Sequence, residues 1–116
     1  MEESQMGGFI VSLVGGSLLF LSGYLLKKHP PKTINPLYGY RSKRSMKNQA
    51  QWDAANRYSG QLMTKYAVYY AVSGSIVSFT FQGIEFFFVV VGLMLTAIAL
   101  MIVQVEKRLK EMENQR

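Results

Sequence analysis

Two arginines three residues apart, Arg41 and Arg44, stand just ahead of a segment in which Asn48, Trp52 and Asn56 recur at every fourth position. A guanidinium presents a planar fork of donors that matches a carboxylate or a phosphate. Side-chain amides can then fix the orientation of the bound group. This is binding chemistry, and no catalytic residue is assigned. Serine is plentiful, but there is no GxSxG elbow and no base to accompany one. Zero cysteines exclude a disulfide scaffold and a thiolate metal site, and a single histidine, His29, excludes a His-pair zinc site. No metal or cofactor is expected. His29 lies among lysines and prolines and reads as a solvated residue.

The segment that carries these residues is 27–61. Pro30, Pro31 and Pro36 keep its first part extended, because the residue before a proline is pushed out of the α region. Gly39, between two tyrosines, marks a turn or a close backbone approach. From Ser45 the composition turns helical, with Ser42 or Ser45 as the cap. At 100° per residue, Ser45, Asn48, Trp52, Ala55, Asn56 and Ser59 share one face, and Lys47, Ala50, Ala54, Arg57 and Gln61 the other. Asp53 falls off the asparagine face and is placed to pair with Arg57 one turn on. Three readings of that face stay open. It is an interfacial helix with Trp52 at the headgroups, a staple in which Asn48 and Asn56 tie loop to bundle, or a binding site.

The elements that must position this segment are apolar. Gly8 to Leu26 is a 19-residue stretch without charge, Phe86 to Val105 another of 20, and Leu62 to Phe81 a third broken only by Lys65. Each approaches the roughly 20 residues that cross a hydrocarbon layer. The 49% hydrophobic content rules out a disordered chain, and 116 residues rarely bury three such stretches in a soluble core. The first stretch reads as a retained helix and not as a signal peptide, since Glu2 and Glu3 precede it and Lys27 and Lys28 follow. The reading is a single domain, 1–116, that is an all-α membrane protein. It has three transmembrane helices at about 8–26, 62–81 and 86–105, an amphipathic helix leading into the second span, and a short helical tail over 106–116.

Small residues recur every fourth position in the first two spans, at Gly8, Ser12 and Gly16 and at Ala67, Ala71 and Ser75. That spacing lets helices approach closely in lipid. Packing within one subunit is the simpler use, with a homo-oligomer as the alternative. The short link Gln82–Glu85 forces a hairpin. No Asp, Glu, Arg or His lies inside a span, which argues against proton-coupled transport and intramembrane proteolysis. Gln104 and Thr96 are the weak polar exceptions. Between Lys27 and Lys65 there are nine basic residues and one acid, against only Glu2, Glu3 and Glu85 on the opposite side. The positive-inside rule puts the loop and C-terminus in the cytoplasm and the N-terminus outside. It explains the basic loop without nucleic acid; the expected partners start with membrane lipids.

Residues 34–60, INPLYGYRSKRSMKNQAQWDAANRYSG, resemble the signature of the SdpI family of bacterial integral membrane proteins, named for immunity to a sporulation-delaying peptide toxin. The matching positions are Asn35, Gly39, Arg41, Ser45, Asn48, Trp52 and Asn56; Ser42 stands where threonine is commoner. With Arg44 these form the candidate binding set. The resemblance covers nearly the whole chain as one SdpI-type module. It implies a multi-pass protein of the bacterial cytoplasmic membrane that gives resistance to a membrane-active peptide toxin, binding or blocking it without catalysis. Two other functions are weighed against it: a small enzyme or carrier for a lipid or prenyl phosphate, and an anchor that recruits a cytoplasmic regulator.

Overall fold

The computed structural model describes residues 2–115, so Met1 and Arg116, the ends of the single-domain reading, lie outside the described residues. These form three helices and no strand: α1 (Glu3–Lys28), α2 (Gln49–Val77) and α3 (Gly83–Asn114). From Gln5 onward α1 is long and apolar enough to cross a membrane, and so is α3. Their outer surfaces carry Leu18 (62% exposed), Phe88 (65%) and Val103 (63%). Apolar surface on that scale is stable against lipid and costly against water. The middle helix α2 is too polar to qualify on composition, and it ends at Val77, short of the expected Phe81.

Helix α2 stands between the other two. It packs along the whole of α1, from Gly8 beside Ser78 at one end to Gly23 beside Gly60 at the other. The approach is backbone to backbone. A Cβ on Gly60 would sit 2.8 Å from the Lys27 nitrogen, and one on Gly23 2.9 Å from the Gly60 carbonyl oxygen. Gly16 meets Ala71, and Gly74 meets Ser12. The four-residue spacing of small residues is thus used inside the chain, as close packing in lipid requires. Helices α1 and α3 scarcely touch.

Two boundaries differ from expectation. The hairpin turn lies at Ser78–Gln82, because Gly83 (φ +63°) already opens α3 and Glu85 sits in its first turn. An acid there complements the positive end of the helix dipole. At the other end there is no separate tail: α3 runs unbroken through 106–114 as part of a 32-residue helix. At ~1.5 Å per residue such a helix is longer than a hydrocarbon layer of ~30 Å, so one end must project. The projecting turns meet the first turns of α2. There Ala55, Leu62, Val105 and Leu109 form the apolar core, with Tyr40, Tyr58 and Met112 against it.

Candidate functional site

The loop between α1 and α2 is folded onto that core as a strap, and most of the polar residues singled out above hold it there. Asn35 closes the turn over Pro36: its Oδ1 accepts from the N–H groups of Leu37 (2.9 Å) and Tyr38 (2.7 Å). Gly39 follows at φ +106°, a left-handed conformation that a side chain would strain. A Cβ there would also press on Pro31 and on the amide of Asn56. Asn56 is fully buried; its Oδ1 accepts from Tyr40 N–H at 2.6 Å, and its Nδ2 donates to the Trp52 carbonyl at 2.9 Å. Trp52 is 0% exposed and donates its indole N–H to the Pro31 carbonyl at 2.8 Å. Trp52 is therefore a core residue that does not reach lipid.

The helix start is a correction. Asn48 lies outside α2 in extended conformation, and its side chain accepts from Gln51 N–H at 2.9 Å. It caps the helix and is not on its face. Ser42 and Ser45, the expected caps, instead close a separate turn. Ser42 N–H donates to Ser45 Oγ at 2.7 Å, and Ser45 N–H to Ser42 Oγ at 3.1 Å. Asp53 is a second correction. It accepts from Gln49 Nε2 at 2.8 Å, and among the described residues it forms no ion pair with Arg57. Gln49, four residues earlier, also reaches the Lys32 carbonyl and so is pinned within range.

The two arginines do not converge. Arg41 donates to the Pro36 carbonyl. Arg44 turns to α3, with Nε 3.4 Å from Glu113 Oε2 and Nη1 4.0 Å from Glu106 Oε1. Lys47 Nζ lies 3.6 Å from Glu113. With Lys43 these side chains line an open cleft of about 470 Å³. Glu106 and Glu113 are the partners that sequence reasoning missed. Their signal was present: with Val105, Leu109 and Met112 they fall at three- and four-residue spacings on one face of α3. Glu106 also accepts from the hydroxyls of Tyr40 and Ser42, each at 2.8 Å. Burial, then the hydrogen bond to Glu106 and its charge, push the Tyr40 hydroxyl well above the usual tyrosine range. Gln51, fully buried, donates to Glu113 and to the Leu109 carbonyl, and its own oxygen has no protein partner among the described residues.

A second concavity opens sideways at the hairpin-turn end. Because α1 and α3 diverge around α2, they leave an apolar cleft of about 410 Å³ between Val11, Tyr70, Phe86, Phe87, Val90 and Leu95. Glu85, exposed in the first turn of α3, precedes this aromatic pair in the sequence, and Glu2 and Glu3 lie at the same end of the bundle. The weak polar residues of α3 are accounted for: Thr96 donates to the Gly92 carbonyl at 2.7 Å, and Gln104 to the Tyr66 hydroxyl.

Residues 32–104 match the model of the SdpI/YfhL protein family. A relative from Bacillus subtilis (strain 168), described as uncharacterized protein YfhL, is 40% identical over 103 residues, which is 89% of each chain. No solved structure matches.

Proposed function

The chain belongs to the SdpI/YfhL protein family, and from that premise we propose that it protects a bacterial membrane by binding a membrane-active peptide in the sideways cleft, without catalysis. In this reading all three helices cross the membrane, with the loop and C-terminus inside. Helix α2 earns its place as a span through its partner: it lies against α1 from Gly60 to Ser78, about 27 Å at the helical rise. The orientation is supported by the basic residues, which are absent from 1–26 and 66–106 and dense in 27–65.

The observation that carries the proposal is the chemistry of the cleft. Its walls are apolar, and three acids, Glu2, Glu3 and Glu85, lie at the same end of the helices. The occupant it complements is a cationic amphipathic peptide entering from outside, with its apolar face against Phe86, Phe87 and Val90 and its basic residues near Glu85. The test is survival of a strain lacking the protein under challenge with purified cationic membrane-active peptides. The unmodified chain should restore survival. Leu95→Trp, which fills the cleft from an exposed position, and Glu85→Lys, which reverses the charge next to Phe86 in the first turn of α3, should insert normally and fail to protect. Protection undiminished by both variants would overturn the cleft reading, and no protection by the unmodified chain would overturn the function.

One observation favours a second reading, recruitment of a cytoplasmic regulator. The cleft of Lys43, Arg44, Lys47, Glu106 and Glu113 presents both signs of charge, the bases from the strap and the acids from α3. An enzyme or carrier for a lipid phosphate built on Arg41, Arg44, Asn48 and Asn56 has less support, because those side chains are turned to internal partners.

A further inference from the structure

The face of α2 opposite the small residues that meet α1 forms a groove with α3, and this groove has two chemically distinct halves. One is an apolar hollow of about 200 Å³ between Tyr66, Tyr69 and Ser73 of α2 and Leu93, Ala97 and Leu100 of α3. The other is a polar hollow of about 280 Å³ lined by Tyr58, Gln104, Lys107, Arg108 and Glu111. They adjoin where Gln104, from the polar half, donates to the hydroxyl of Tyr66, from the apolar half. On α3 the lining residues recur at three and four, from Leu93 through Ala97, Leu100, Gln104 and Arg108 to Glu111, so they form one stripe. The joint lies where the uncharged stretch of α3 ends at Val105 and basic residues begin. That is the depth of lipid headgroups.

We propose that this groove holds one membrane phospholipid, its phosphate between Lys107 and Arg108 and an acyl chain along Tyr66, Tyr69 and Leu100. Arg108 is prepared for the role. Its guanidinium lies over the Tyr58 ring, 4.8 Å from the centroid, which holds the plane of the fork and leaves donor edges free. Among the described residues neither Lys107 nor Arg108 forms an ion pair. Two cations and Glu111 give the hollow a net charge of +1, which one phosphodiester neutralises. The Glu111 carboxylate repels a bare anion but accepts from a hydroxyl or ammonium on the headgroup beyond the phosphate. A two-part groove at headgroup depth therefore selects a lipid over free phosphate. Tyr70 lies between the apolar half and the sideways cleft, but the phosphate-holding half shares no residue with that cleft, and the proposal stands whether or not the chain protects against peptides.

The experiment is native mass spectrometry of the detergent-solubilised full chain titrated with phosphatidylglycerol. One lipid per chain should be retained. Arg108→Gln, at an exposed position, should weaken retention at least about tenfold with an unchanged melting temperature, the effect of one charge-assisted hydrogen bond. Ala97→Phe, which blocks the apolar half, should do the same, and Lys43→Gln, which removes a distant cation, should change nothing. Glycerol 1-phosphate in excess should not displace the lipid. Equal retention by the unmodified chain and Arg108→Gln would overturn the proposal. Displacement by glycerol 1-phosphate would also overturn it, since the headgroup alone would then suffice.

Discussion

The amide of Asn56 occupies the space that a side chain on Gly39 would need, and the two residues lock the strap to α2 from opposite sides. Gly39→Ala should therefore cost stability twice, through its left-handed backbone and through the displaced amide, for a loss of roughly 1–3 kcal/mol. Asn56→Ala should cost a similar amount, because Tyr40 N–H loses its acceptor. Thermal unfolding in detergent of both single variants and the double variant is the check. The double variant should lose clearly less than the two losses added, since one contact is broken twice.

Trp52→Ala should destabilise the protein by roughly 3 kcal/mol or more, as for a fully buried aromatic. Trp52→Phe should cost less and leave the Pro31 carbonyl without its donor. Brominated lipids should quench the fluorescence of this single tryptophan weakly. Strong quenching with unchanged stability in Trp52→Ala would return Trp52 to the headgroup layer.

Tyr40 gives the fold a sensitivity to alkali. Its folded-state pKa is raised, so the folded state keeps the phenolic proton after the unfolded state releases it. The stabilisation is complete below the ordinary tyrosine value of about 10 and is lost as pH rises from there toward the folded-state value. Between pH 9 and 11, stability should fall less steeply for Tyr40→Phe than for the unmodified chain. Parallel curves would show that Tyr40 does not contribute.

Arg44 and Glu113 are partly exposed, so their pairing is worth only about 0.5–1 kcal/mol. Arg44→Gln should lose about that much at low salt and little at high salt. Activity separates a site from a scaffold here. If Arg41 or Arg44 also meets a bound anion, Arg41→Lys or Arg44→Lys should abolish protection while insertion and melting temperature stay normal. Two fully active lysine variants would restrict both arginines to holding the strap.

A reporter that works only in the cytoplasm should be active when fused to the C-terminus, and one that works only outside should be silent there. The reverse pattern would invert the orientation and move the cleft and the acids Glu2, Glu3 and Glu85 to the cytoplasmic side.

The sequence by itself determined the helical class, the apolar stretches of α1 and α3 and the small-residue faces of the first two helices, which the structure then paired with each other. These rest on local pattern: a backbone in lipid must bond to itself, so length and apolarity alone announce a helix, and only small side chains permit close packing. It also marked Gly39 as a backbone site, since only a close approach or a turn calls for glycine between two tyrosines. Other features needed the tertiary structure. Ser42, Ser45 and Asn48 are all competent caps, and Asn48 takes the role because the other two are held in a turn by Tyr40 and Glu106. Glu106 and Glu113 are 62 to 69 residues from the side chains they hold, a separation that no periodicity spans. Trp52 and Asn56 read equally well as headgroup anchor, staple or ligand set until the strap was seen to fold over them. The groove of Tyr58, Tyr66, Gln104 and Arg108 exists only because the hairpin sets two stripes, each unremarkable alone, side by side. Periodicity fixes which residues share a face, and long-range packing decides what that face meets.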